Sequence, residues 1–374
     1  MHIIQRKDFQ QLFNALGELG YKMIGPTIED QAIVYSDIQS VDDLPIGWAD
    51  KQEAGTYRLV QRGDQALFGY VVGPTSWKKF LFPPKEKLWH GHLTVGEGQK
   101  KGNGFRIEKE SPSRQKIAFL GVRSCELHAI AIQDKVFVGG PFVDPNYQLR
   151  RENVLLIAVN CVQPGGACFC VSMNTGPKAA TGFDLSLTEV INEKEHYFIA
   201  RAATPQGEEL LRRVTHQPGD EAQKQREDDL LKAAEGHMGR VMDTRNIKEL
   251  LYQNAEHPQW KKVAERCLSC ANCTMVCPTC FCSNVEDVTD LKGENVDRWR
   301  TWDSCFSSAF SHLHGGSVRK SIQGRYRQWM THKLASWHDQ FGASGCVGCG
   351  RCIVWCPVGI DITEEVKSIR ENPV

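Results

Sequence analysis

The chain has 374 residues, long enough for two or three domains, and its 41% hydrophobic content can build cores without cysteine staples. Lysine plus arginine and aspartate plus glutamate balance at 45 each, so no one-sided basic field exists to hold nucleic acid or an acidic membrane surface. The 15 cysteines are an odd number, which in a reducing compartment favours metal sites over disulfides.

The N-terminal "MHIIQRKDFQQLFNALGELG" has no uninterrupted apolar stretch with a cleavage site, so it does not read as a signal peptide. The longest strongly apolar run, "VLLIAV" (154–159), is too short for a bilayer, and a cytoplasmic protein is expected. Phe9, Leu12, Phe13, Leu16 and Leu19 predict a helix over 7–20, followed by strands at "QAIVYSDI" and "TYRLVQR". Two apolar strands, "KIAFLGV" (116–122) and "NVLLIAVNC" (153–161), flank the helical spacing of "SCELHAIAIQDKVF", which predicts an α/β core. "TGFDLSLTEVINEKEHYFIAR" reads as a hairpin turning near Asn192–Glu195. Segment 204–240 is charged and helical, with "HQPGDEAQKQREDD" as a solvated loop inside it.

This first region carries its own thiols. Cys125 follows the first apolar strand, and Cys161, Cys168 and Cys170 of "NCVQPGGACFC" follow the second. If those strands are parallel neighbours, the four thiols meet at one sheet edge and suffice for a 4Fe–4S cluster. A zinc site or buried apolar thiols are the alternatives.

Further on, one spacing occurs twice: Cys267-x2-Cys270-x2-Cys273-x3-Cys277-Pro278 and Cys346-x2-Cys349-x2-Cys352-x3-Cys356-Pro357. Three thiolates two residues apart wrap three corners of a cubane, and the fourth, past a helical turn, reaches the other cluster. Cys267, Cys270, Cys273 and Cys356 are therefore assigned to one 4Fe–4S cluster, and Cys346, Cys349, Cys352 and Cys277 to a second. Zinc needs only four ligands and explains neither the third cysteine of each run nor the trailing Cys-Pro. About seventy residues lie between the runs and read as helix. Within them Val318, Ile322, Tyr326, Trp329, Met330, Leu334, Trp337 and Phe341 form one stripe over 317–341, with Ser317 as N-cap and Gly342 as stop. The expected architecture is an α/β (α+β) domain over 1–220, a charged helical linker over 221–243, and an all-helical ferredoxin-like domain with two clusters over 244–374.

Cys280, Cys282 and Cys305 stay unassigned, as thiols beside the sulfides, core residues, or shared ligands of a three-iron cluster. His312 and His314 read as a surface pair, and a Cys125–His128 nucleophile and base lacks an orienting third residue. The sequence contains no G-x-G-x-x-G after a strand, no P-loop, no H-E-x-x-H and no G-x-S-x-G. Clusters move single electrons, so two-electron chemistry must come from a flavin or metal centre on partner subunits.

Together, "GVRSCELHAI", "NCVQPGGACFCVSMNTGP", "CLSCANCTMVCPTCFC", "DSCF" and "CVGCGRCIVWCPVGIDI" resemble the iron–sulfur beta subunits of cytoplasmic NAD(P)-linked nickel–iron hydrogenases, the sulfhydrogenases. The chain is also similar to the A subunit of anaerobic sulfite reductase. The resemblance runs over nearly all of the chain from about residue 115 and supports the third cluster at Cys125, Cys161, Cys168 and Cys170. It implies a non-catalytic subunit relaying electrons between a flavoprotein that handles NAD(P)H and a nickel–iron hydrogenase unit, or alternatively a sulfite reductase. A redox sensor, the reading from another class, would call for a basic recognition helix that the sequence lacks.

Overall fold

The computed structural model describes residues 1–94, 104–110 and 112–372. Its main sheet has eight strands, in the order Gln217–Pro218, His2–Gln5, His196–Ala202, Leu185–Ile191, Val154–Val159, Ile117–Val122, Lys22–Glu29 and Ala32–Asp37. The four strands from Leu185–Ile191 to Lys22–Glu29 run parallel, with Ala118 opposite Leu155 and Ser186 opposite Ala158. Parallel strands need cover on both faces, which explains the unbroken apolar runs of the two central ones, Ile117–Val122 and Val154–Val159. On one face Leu12, Phe13 and Leu16 of helix Gln10–Glu18 pack on Leu120, Ile157 and Leu187. On the other, Leu127 and Ile130 of helix Ser124–Phe137 pack on Phe119 and Leu156. Because Ile117–Val122 and Val154–Val159 are parallel neighbours, Cys125 and Cys161 leave the sheet at the same edge.

Three expectations change in the described residues. The solvated loop is confined to the residues before Glu221: Asp220 caps helix Glu221–Gly236, its side chain accepting from the Gln223 N–H at 2.8 Å. That helix packs on the main sheet, where buried Glu227 accepts from the Arg201 guanidinium at 2.7 Å. The stripe over 317–341 begins only at Ile322, because the Ser321 hydroxyl, not Ser317, accepts from the Gly324 N–H at 3.0 Å. Ser317 instead pairs with His312 in a tight hairpin, and Val318 stays 62% exposed. Gly342 ends the helical run as expected, at φ +69°.

The interval between the two cysteine runs is also not all helical. It opens with the hairpin Ser283–Thr289 and Asn295–Trp302, which joins Lys85–Thr94 and Gly104–Lys109 in a four-stranded sheet. Segments on both sides of 221–243 thus share one sheet. Helices before and after this hairpin bury Trp260, Val263, Tyr326, Met330, Leu334 and Ile369 in a second core, which the cluster-motif cysteines line.

Candidate metal centres

Each cysteine run folds the same way. Ser269 and Ala271 have φ +54° and +68°, and their counterparts Gly348 and Gly350 have φ +66° and +74°. Left-handed residues at alternate positions turn successive N–H groups to one side, a nest suited to anionic sulfur. The Ser269 N–H donates to Cys267 Sγ at 3.4 Å, and the Gly348 N–H to Cys346 Sγ at 3.5 Å. Short helices, Asn272–Met275 and Arg351–Val354, then carry the chain to Cys277 and Cys356. In the second loop glycine is also a steric requirement. A Cβ on Gly348 would stand 2.6 Å from the Phe169 carbonyl oxygen, and one on Gly350 2.4 Å from that of Ala167.

These loops gather the cysteines into neighbouring groups, and all 15 in the chain are free thiols. Cys267, Cys270, Cys273 and Cys356 line one cavity, walled by Phe306, Tyr326, Trp329 and Ile360 and also touched by Cys352. In that wall Tyr326 Oη and Trp329 Nε1 are buried without a hydrogen-bond partner among the described residues, donors that a cluster sulfide would satisfy. Cys346, Cys349, Cys352 and Cys277 face one another in the next group. Cys125, Cys161, Cys168 and Cys170 line a third space together with Cys349. The Phe169 N–H donates to the Gly348 carbonyl at 2.8 Å, which docks the third group's loop directly on the second's. Among the described residues no three His, Cys, Asp or Glu side chains converge as ligands of a single ion. The cysteines ring spaces instead, as thiolates bound to separate irons must.

Burial dominates the electrostatics. It is the main cause that pushes the Cys346 and Cys170 thiols up to about 12, with facing thiols acting the same way and Lys333 opposing at Cys346. Cys277 is the exception, held well below the usual thiol value by the Cys280 thiol and Lys333. For the thiols pushed up, a bare thiolate is costly, and a cationic cluster core is what would hold it ionised. These residues fit iron–sulfur clusters.

Two cations flank the middle group. Lys333, only 6% exposed, sits in the π-helical turn His332–Ser336, a local widening common at functional sites. Its ammonium reaches Cys277 Sγ at 3.2 Å, Thr279 Oγ1 at 2.9 Å, the Gly345 carbonyl at 3.3 Å and Cys280 Sγ at 3.5 Å. Burial opposes its charge, but the facing Cys277 and Cys280 thiols hold its pKa well above the usual lysine value. Arg351, between Cys349 and Cys352, is paired with Glu126 and donates to the Gly73 carbonyl at 2.8 Å and the Thr75 carbonyl at 3.0 Å. It also donates to the Cys349 thiol. Reading the sequence did not single out either cation. Arg351 had a signal, a basic residue inside a ligand loop, whereas Lys333 had none.

The remaining candidates separate. Cys280, Cys282 and Cys305 line a further, solvent-open cavity beside Lys333. His312 and His314 are exposed on the tight hairpin. Cys125 is buried while His128 on the same helix is exposed, so the two do not form a nucleophile and base.

Among known proteins, the 4Fe-4S dicluster domain family matches residues 266–360. The chain is 28% identical to sulfhydrogenase 2 subunit beta of Pyrococcus furiosus over 375 residues, covering 97% of this chain and 96% of that one. No solved structure matches it. The iron–sulfur hydrogenase-subunit resemblance read from the motifs is thereby supported along the full chain.

Proposed function

We propose that this chain is the iron–sulfur electron-relay subunit of a hydrogenase complex, passing single electrons between an NAD(P)-linked flavoprotein and a nickel–iron catalytic unit. Three 4Fe–4S clusters are assigned: Cys267, Cys270, Cys273 and Cys356; Cys346, Cys349, Cys352 and Cys277; and Cys125, Cys161, Cys168 and Cys170. When bound, such clusters supply reversible one-electron storage. The observation that carries the reading is the continuity of the thiol groups: Cys352 of the second borders the first cavity, and Cys349 of the second borders the third.

Each end of the line reaches toward the surface. Cys270 is exposed, and beside it Leu268 is 61% and Val358 38% exposed, an apolar rim suited to a partner protein. Cys161, at the other end, is half-buried. Between the ends, the buried walls exclude water, and the nest N–H groups, Lys333 and Arg351 stabilise negative charge on sulfur. Flavin and the nickel–iron centre belong to the partner subunits in this reading, which fits the absence of a dinucleotide fingerprint from the sequence. The full-length similarity is to a sulfhydrogenase subunit, which favours hydrogen over sulfite as the linked substrate. Among the described residues no helix is long and apolar enough to cross a membrane.

The test is to purify the complex that this chain forms in its own cells and expose it anaerobically to hydrogen or to NAD(P)H. Cluster reduction by both, seen by EPR in this subunit, is expected. Reduction by neither, or co-purification without a nickel-containing subunit, overturns the proposal.

A further inference from the structure

Three thiols are not used by the relay, and the structure treats two of them as a pair. Strand pairing of Ser283 with Trp302 extends one step beyond the hairpin, where the Asp303 N–H donates to the Cys282 carbonyl at 2.9 Å. The chain then turns at Ser304, whose hydroxyl accepts from the Phe306 N–H at 3.1 Å. This turn brings Cys305 beside Cys282, close enough for its N–H and thiol to interact with the Cys282 sulfur. Both residues line the same solvent-connected cavity. Behind the pair lie the proposed cluster ligands: Cys305 faces Cys273, and the neighbouring Cys280 faces Cys277.

We propose that Cys282 and Cys305 are a redox-active dithiol that exchanges with low-molecular-weight disulfides in this cavity. The geometry favours this over the three-iron site considered from the sequence. Cys282 and Cys305 pair with each other, while Cys280 pairs with Cys277 instead of joining them. The Cys282 sulfur, which accepts both hydrogen bonds, is the attacking atom, and Cys305 is the resolving thiol. Arg319 and Lys333 give the cavity positive charge, and Phe310, Trp329 and Phe341 give it apolar walls. A small disulfide bearing carboxylates fits those features.

The chemistry balances. The Cys282 thiolate attacks R–S–S–R, forming Cys282–S–S–R and releasing one thiolate. Cys305 attacks the Cys282 sulfur and releases the second thiol, leaving a Cys282–Cys305 disulfide. Two electrons and two protons reopen it, so the net change is R–S–S–R plus two electrons and two protons giving two R–SH. Clusters held by the adjacent Cys273 and Cys277 groups would supply the electrons singly, and this clause alone rests on the relay reading above. The protons come from water in the cavity.

The probe is glutathione and its disulfide. The anaerobically purified whole protein is equilibrated at a series of glutathione ratios, acid-quenched, alkylated and mapped by mass spectrometry, with iron measured on the same samples. The expected result is a Cys282–Cys305 disulfide whose ratio to dithiol changes tenfold per about 30 mV, the two-electron slope. In Cys305→Ser, Cys282 is trapped as a mixed disulfide with glutathione. Cys280→Ser leaves the transition where it was. Disulfide formation in a low-iron preparation supports the dithiol independently of the relay, because the glutathione couple itself supplies and takes both electrons. Free alkylation of both cysteines at every ratio overturns the proposal. So does protection of both from alkylation in the native protein together with iron above the amount three clusters account for.

Discussion

At the scale of single residues, the two buried cations matter most. Lys333 makes a charged hydrogen bond to Cys277 Sγ at 3.2 Å, and such a bond favours the reduced, more negative state of a cluster held there. Lys333→Met should lower one cluster potential by about 60–130 mV, taking ~1.5–3 kcal/mol for a charged hydrogen bond and 59 mV per 1.4 kcal/mol for one electron. Lys333→Arg should recover part of that shift. Redox titration followed by EPR is the check, and an unmoved potential with full iron content would count against the assignment of Cys277. Glu126 has a different role. Its carboxylate pairs with Arg351 and accepts from Tyr35 at 2.7 Å and Trp77 at 3.0 Å, all inside the protein. Glu126→Gln removes the buried carboxylate partner of Arg351 and should cost about 3–5 kcal/mol, measured by thermal or denaturant unfolding. The cysteines were legible because ligand spacing is a local property of the chain. Lys333 was not, because its neighbours Cys277 and Gly345 are brought to it only by tertiary folding.

At the scale of elements, the two cysteine loops share one backbone shape but differ in what they tolerate. Gly350 has φ +74°, and a Cβ there would stand 2.4 Å from the Ala167 carbonyl oxygen. Gly350→Ala should therefore cost more than the ~1–2 kcal/mol of the left-handed conformation alone, and should disturb the contact between the second and third thiol groups. Ala271 holds the matching position at φ +68° with a Cβ already present, so Ala271→Gly should leave stability nearly unchanged or slightly raised. Melting curves of the pair test this asymmetry. Ile117–Val122 and Val154–Val159 were readable as apolar runs because they are buried on both faces, whereas His2–Gln5, Lys22–Glu29 and Gln217–Pro218 were not read. The hairpin Ser283–Thr289 and Asn295–Trp302 was not read either. Its first strand is exposed along most of its length, and its outer partner, Lys85–Thr94, lies far away in sequence. The helix start at Ser321 rather than Ser317 has a similar cause: both serines are plausible caps, and only the His312 pairing removes Ser317.

At the scale of the whole molecule, an α/β sheet and a cysteine-rich helical region share a boundary made of thiols. The loop bearing Cys168 and Cys170 docks on the loop bearing Cys346 and Cys349, through the Phe169 to Gly348 hydrogen bond at 2.8 Å. That contact turns separate sites into a continuous line. Motif spacing suggested the members of the first two groups and expected strand order those of the third, but the adjacency of the groups depends on folding that no spacing reports. The central claim is that this line holds iron–sulfur clusters throughout. It is tested most directly by measuring iron, zinc and acid-labile sulfide per chain after anaerobic purification, with EPR of the reduced protein. About twelve irons and twelve sulfides, with magnetically interacting reduced clusters, is the predicted result. About eight irons would confine the relay to the C-terminal region, and stoichiometric zinc with little sulfide would contradict the account.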